Sequence, residues 1–227
     1  MQHAKSKVLY EATEERLGRK EKEHRTRRRD ILDAALKLFS RKGYSGTSIS
    51  EIAQASEFSV GSIYNFFETK ENLYLTIVEE KFRETSRRMS DAVAMETDCV
   101  RKIAKAVRAV LISMEENRDF YNLFLGIQTV PEPAVHGGVH RKALKLYEDH
   151  INFFMELMEE GVHSGIFREF TPLELAYSLI GICNANIYNW LQGPGDTSLV
   201  AHHERILDLF FRGTLKTSSN SEGNNYA

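Results

Sequence analysis

At 227 residues and 42% hydrophobic content, the chain can bury one or two sizeable cores. No run of ~18 apolar residues occurs and the N-terminus lacks an apolar stretch, so neither a membrane-spanning helix nor a secretory signal is expected. The net charge of −2 is unevenly spread: residues 1–46 hold 13 Lys/Arg against 7 Asp/Glu, leaving an acidic remainder.

A basic head on an acidic body suits a protein that offers one end to a polyanion. Two cysteines, Cys99 and Cys183, lie far apart with no CxxC spacing. Reduced, buried thiols in a cytoplasmic protein are expected. All four prolines lie at Pro131 or later, and a proline-free first half suits a succession of helices.

Residues 11–29, EATEERLGRKEKEHRTRRR, are nearly all charged. They can extend the first helix backwards or form a basic arm for the minor groove, and a solvated charged face is the plainer reading. The first helix itself starts in the cluster Arg25, Arg27, Arg28 and Arg29. Ile31, Ala34, Ala35, Leu38 and Phe39 recur on one face. Arg41 and Lys42 suit the negative end of its dipole, and Gly43 is placed to stop it.

Ser48 followed by Glu51 forms a capping box, so a second helix begins there with Ile49, Ile52 and Ala53 on its buried side. Ser56 to Ser59 breaks the pattern. A third helix spans about Val60 to Phe67 with Ser59 as N-cap. Ile63 and Phe67 face inward, while Ser62, Tyr64, Asn65 and Phe66 spread over the remaining surface. Two short helices and a turn on a longer first helix read as a helix–turn–helix, which places one helix in the major groove of DNA.

The run Gly43-Tyr44-x-Gly46-Thr47-Ser48-Ile49-x-Glu51-Ile52-Ala53, followed by Val60-Gly61-x-Ile63-Tyr64-x-x-Phe67-x-x-Lys70-x-x-Leu73, resembles the DNA-binding domain of TetR-family transcriptional regulators. The chain departs from the family's common residues at Val60, Asn65 and Phe66. The resemblance implies that Thr47 and Ser48 touch one phosphate, and that Tyr64 and Lys70 hold another position on the DNA. Ser59, Ser62 and Asn65 are the candidates for base edges, since Asn pairs bidentately with adenine. Gly61 lets the backbone approach closely.

From Thr69 the helices continue. A fourth, capped by Thr69, turns Leu73, Ile77, Phe82 and Met89 inward and reaches about Met95; in the family it is the lever between ligand and DNA. A fifth starts at Asp98 and carries Ile103, Val107, Val110, Leu111 and Met114. A sixth, Arg118 to Gln128, holds Phe120, Tyr121, Phe124 and Leu125. Pro131, Pro133, Gly137 and Gly138 mark a loop, and a seventh helix runs from about His140 to Ser164, ending at Gly165.

The last two helices, about Pro172 to Gln192 and Ser198 to Leu215, are apolar on more than one side and so need burial twice. The resemblance makes them a four-helix interface with a second copy, with Leu175, Leu179, Ile182, Trp190, Ile206, Leu207 and Phe210 as its expected residues. It also implies a ligand pocket lined by Phe82, Met89, Phe120, Tyr121, Phe124, Phe153, Phe154, Met158 and Tyr177, although aromatic and Met stripes at this spacing equally make an ordinary core. The tail KTSSNSEGNNYA is too polar to pack.

His136 and His140, and the doublet His202-His203, lack a Cys or carboxylate partner at metal-site spacing and read as surface histidines. No metal or cofactor is expected, and no catalytic motif is found.

The expected architecture is all-α, with about nine helices. A charged extension, 1–24, precedes a three-helix DNA-binding domain, 25–70. A helical effector-binding and dimerisation domain, 71–215, and a disordered tail, 216–227, follow. The expected function is a homodimeric repressor of a palindromic operator on double-stranded DNA, released by a small apolar or aromatic effector. The alternative is a DNA-bound adaptor whose body binds a protein.

Overall fold

A computed structural model describes residues 2–129, 138–193 and 197–215, and the side chains of 18–124, 141–193 and 197–215. Its elements are α1 (Gln2–Lys42), α2 (Ile49–Ala55), α3 (Val60–Phe66), α4 (Lys70–Val93), α5 (Cys99–Glu116), α6 (Arg118–Thr129), α7 (Gly138–His163), α8 (Pro172–Gln192) and α9 (His203–Thr214). A 3₁₀ turn, Val200–His202, leads into α9. The described chain is all-α apart from an isolated bridge between Phe167 and Leu215. None of its helices is long and apolar enough to cross a membrane. The expected loop at Pro131–Gly137 and the tail lie outside the described residues.

Helix ends follow local chemistry. Gly43, at φ 72°, ends α1, and its N–H donates to the Phe39 carbonyl at 2.9 Å, a conformation that favours glycine. Ser48 and Glu51 close both halves of the capping box on α2. The Thr69 hydroxyl accepts from the Asn72 N–H at 3.0 Å, Asp98 caps α5, and Thr171 with Glu174 forms a second capping box on α8. The charged preface continues α1 back to Gln2 as helix.

The chain divides into two compact units. The first comprises Met1–Val78 with Leu123–Val139, and the second Glu79–Asn122 with His140–Ala227. The division thus falls inside α4 and inside α6.

In the first unit the core is Ile31, Leu32, Ala35 and Phe39 of α1, Ile52 and Ala53 of α2, Ile63 of α3, and Leu73, Tyr74, Ile77 and Val78 of α4. Phe39, Tyr44 and Tyr74 form an aromatic triad: Phe39 stacks on Tyr44 at 5.9 Å, and both meet Tyr74 edge-on at 5.2 Å. A Cβ on Gly46 would lie 2.3 Å from the Lys42 carbonyl oxygen, so only glycine fits there.

The second unit packs α5, α7, α8 and α9 around Ile103, Val107, Leu111, Met158, Leu179, Ile187 and Ile206. The Arg118 guanidinium lies 4.6 Å from the Trp190 ring and donates to the Leu191 carbonyl at 2.9 Å. Trp190 Nε1 donates to the Thr197 carbonyl, so the indole N–H of this corner is paired. Cys99 is half-buried and Cys183 buried. Burial pushes the Cys99 thiol up to about 11 and Cys183 to about 12, which keeps both protonated near neutrality.

His202 and His203 are half-buried, which corrects their reading as surface histidines. His202 Nδ1 pairs with Asn186 Oδ1 at 3.3 Å and His203 Nε2 donates to the Ala104 carbonyl at 2.8 Å, so both tie the chain around α9 to its neighbours. The side chains of His136 and His140 lie outside the described set. No group of metal-binding side chains occurs among the described residues.

Candidate nucleic-acid interface

The turn between α2 and α3 is fixed by short-range bonds. The Ser56 hydroxyl donates to the Ile52 carbonyl at 2.7 Å, and the Phe58 N–H donates to the Ala53 carbonyl at 2.9 Å. Glu57 between them adopts φ 61°, a left-handed conformation that strains any residue with a Cβ. Glu57→Gly is expected to raise stability by up to about 1 kcal/mol, read as a higher thermal midpoint with operator affinity unchanged.

On α3, Ile63 is buried and orients the helix. Val60, Gly61, Tyr64 and Asn65 are exposed, and their spacing gathers them on one continuous face. The side chains of Tyr64 and Asn65 make no hydrogen bond to any other described residue, so their polar ends are available. Ser59 caps the helix by accepting from the Ser62 N–H at 3.1 Å. The two serine hydroxyls share one bond of 2.8 Å, which uses one proton and leaves the other to face outward. A Cβ on Gly61 would touch only Ser59 Oγ at 3.9 Å, so internal packing does not require this glycine.

The hydroxyls expected to meet phosphate are already committed. Thr47 is 2% exposed and its Oγ1 donates to the Gly43 carbonyl at 2.9 Å. This corrects its reading as a phosphate contact: it is an internal brace. Ser48 is exposed, yet its hydroxyl donates to Glu51 Oε2 at 2.9 Å and accepts from the Glu51 N–H at 3.2 Å. Lys42 Nζ reaches Glu51 Oε1 at 2.6 Å.

That lysine, with the Ser48 N–H and hydroxyl, holds the Glu51 carboxyl down at about 2. The cap is fully present above the ordinary carboxyl range near 4.5 and is lost as pH falls toward 2. Ser48→Ala is expected to cost about 0.5–2 kcal/mol, measured by urea unfolding. Lys70 is half-buried, with Nζ 4.2 Å from the Tyr44 ring centroid, a cation–π seat that fixes the ammonium.

Sequence reasoning passed over Val60 and His24. Val60 is 39% exposed on the same face as Tyr64, where an apolar group suits a thymine methyl; the sequence had marked it as the helix start and as a departure from the family, without a contact of its own. The His24 ring lies 4.5 Å from Phe66 and the Arg28 guanidinium 5.5 Å from Phe67. These contacts bring the charged part of α1 onto the end of α3, leaving Arg25, Arg27 and Arg29 exposed beside it.

The remaining expected residues divide by burial. Phe82, Met89, Phe120, Tyr121, Phe154 and Met158 are buried and Phe153 is half-buried, all in the second unit. Phe124 is buried too and falls in the first unit. Tyr177 is 55% exposed, which removes it from any interior lining: α8 buries Leu175, Leu179, Cys183, Ile187 and Trp190, and Tyr177 lies on the opposite side.

The same orientation corrects five of the expected dimer residues. Leu175, Leu179, Trp190, Ile206 and Phe210 are buried within the single chain, and Ile182 and Leu207 are half-buried. The apolar side chains that α8 and α9 leave uncovered are Leu173, Tyr177, Tyr188 and Leu209.

A buried three-helix core, a capped turn and a short helix with one exposed, partly polar face define a helix–turn–helix DNA-binding protein. Residues 31–77 match the family model for bacterial regulatory proteins of the tetR family. The match covers the helix–turn–helix and supports a TetR-family transcriptional regulator.

It is 24% identical over 196 residues to the fatty acid metabolism regulator protein of Bacillus subtilis, covering 85% of this chain and 97% of that one. It is 27% identical over 187 residues to the transcriptional repressor AcnR of Corynebacterium diphtheriae, covering 81% and 88%. Among solved structures, FadR from Bacillus subtilis in complex with stearoyl-CoA superposes with a TM-score of 0.70 at 21% identity, covering 81% of this chain and 97% of that one. At that identity the likeness is one of fold.

Proposed function

We infer that the protein is a homodimeric repressor that binds a palindromic operator through α3 and is released by an apolar effector held in the second unit. The observation that carries this is the exposed face of Val60, Gly61, Tyr64 and Asn65 on a fully packed helix–turn–helix. Ser59 and Ser62 stand at its N-terminal edge. Asn65 and the free serine hydroxyl read base edges, Val60 packs on a thymine methyl, and Tyr64 and Lys70 hold phosphates. Ser48 contributes through its place at the start of α2, its hydroxyl being spent on the cap.

The second copy seats on the stripe of Leu173, Tyr177, Tyr188 and Leu209. Gly181 on α8 and Gly213 on α9 have open space where a Cβ would stand, which allows a partner helix to approach closely. Two-fold pairing then presents two recognition helices to two half-sites. An effector that prefers a dimer with wrongly spaced recognition helices withdraws the operator-bound population.

The relatives named for fatty acid metabolism and for repression, and the neighbour bound to stearoyl-CoA, support a repressor and make a long-chain acyl compound the first effector to test. The deciding experiment selects bound duplexes from a random library at two salt concentrations and then adds stearoyl-CoA. One enriched palindrome, with affinity falling steeply as salt rises and bound DNA released by the acyl-CoA, is the expected result. Salt-sensitive binding without an enriched motif overturns it.

A further inference from the structure

His150 is only 9% exposed in the interior of the second unit. Its Nδ1 lies 3.2 Å from the Leu146 carbonyl oxygen one turn earlier on α7. A carbonyl can only accept, so Nδ1 carries the proton, and in the neutral ring Nε2 is a bare lone pair. Burial favours that neutral form. No described residue donates to Nε2, although the atom is shut off from the surface.

Other polar side chains of the second unit pair with one another. The Tyr121 hydroxyl donates to Asn184 Oδ1 at 3.0 Å, and Asn184 Nδ2 donates to the hydroxyl of Tyr147 at 3.2 Å. Tyr147 stands three residues before His150 on the same face of α7. Ser113 Oγ is the other buried atom without a partner, but a helical serine can rotate to its own i−4 carbonyl. The imidazole, fixed by its Nδ1 bond, cannot turn away. Its ring meets Phe82 edge-on at 4.9 Å, and Phe82 meets Phe120 edge-on at 5.7 Å, so the imidazole is packed among aromatic rings.

We propose that His150 Nε2 is the polar recognition point of the effector site, and that it selects apolar effectors carrying a hydrogen-bond donor, a hydroxyl or N–H, over otherwise equal molecules without one. This rests on the reading that the second unit binds an apolar effector. A ligand that donates to Nε2 gains a buried bond, whereas an ether or hydrocarbon leaves the lone pair stranded and loses about tenfold or more in affinity.

The test titrates the full-length protein calorimetrically with 4-nonylphenol, with its methyl ether 4-nonylanisole, and with stearoyl-CoA. The phenol keeps the donor and the ether removes it with little change of shape. The expected result is a preference for the phenol of about tenfold or more, reduced to within about twofold in His150→Phe. The signal of ¹⁵N-labelled His150 Nε2 should also move with the phenol and stay in place with the ether, a readout that holds even where His150→Phe fails to fold.

Equal binding of phenol and ether, as when an internal water already donates to Nε2, overturns the proposal and leaves the effector reading standing. So does a preference that survives in a folded His150→Phe, or binding of stearoyl-CoA alone. Failure of all three probes to bind brings down the effector reading, and this proposal with it.

Discussion

With the proposed dimer, a Tyr177→Glu or Leu209→Glu protein is expected to elute as a monomer and to bind a palindromic duplex about 10²–10⁴-fold more weakly than the unmodified protein. Both side chains are 55% exposed in the single chain, so each substitution replaces solvent-facing surface and changes the unfolding free energy by no more than about 0.5 kcal/mol. In a dimer seated on α8 and α9 the carboxylate is carried into an apolar contact, where it loses its water and gains no cation. The two-fold axis doubles the effect, because each substitution occurs twice.

Without the dimer each head binds one half-site, and the gain from tethering two heads disappears. Light scattering coupled to size exclusion gives the mass, and fluorescence anisotropy gives the affinity for the whole operator and for one half-site. Half-site affinity should be unchanged. An unmodified protein that is already monomeric, or glutamate variants that remain dimeric, would remove this face from the interface. A heterologous partner on the stripe would produce the first of those outcomes.

That face shows where sequence reading stops. The apolar residues of α8 and α9 cover so much of each helix that a second burial partner was evident from spacing alone. Which residues go inward was not, because it depends on how α8 rotates against α9 and α5. The structure gives Leu175, Leu179 and Trp190, expected at the dimer face, to the chain's own core and leaves Tyr177, expected in an interior pocket, outside with Leu209.

Helix ends were legible for the opposite reason. The Ser48–Glu51 box, the Ser59, Thr69 and Asp98 caps and the Gly43 and Gly165 stops are all local, with donor and acceptor within a few residues of each other. Thr47 and Ser48 fall between the two cases. Their hydroxyls fit phosphate contacts by type and position, but the bonds that occupy them run to Gly43 and Glu51. His150 carried no signal beyond helical spacing on α7. What distinguishes it is an absence of partners, and that exists only once the core is assembled.

The largest stability effect should come from Phe39→Ala, which costs about 3–5 kcal/mol and with it all measurable operator binding. Phe39 is 1% exposed and Tyr74 2%, and with Tyr44 they make the aromatic triad joining the end of α1, the loop after it and the start of α4. Removing one ring deletes two edge or stacked contacts, each worth about 0.5–1.5 kcal/mol beyond area burial, and leaves a cavity that α2 and α3 cannot close. The loss also reaches the DNA side, because Tyr44 carries the Lys70 ammonium on its face at 4.2 Å. With its Phe39 contact gone, Tyr44 fixes that charge less firmly against the phosphate it is proposed to hold.

The single tryptophan, Trp190, sits in the second unit, so its fluorescence follows that unit while far-ultraviolet circular dichroism follows all helices. In urea, Phe39→Ala should bring the helical signal down early and shift the Trp190 transition much less, with Phe39→Leu intermediate. Coincident transitions in the variant would mean that the chain unfolds as one cooperative body. The triad would then support the whole molecule instead of the DNA-binding head alone.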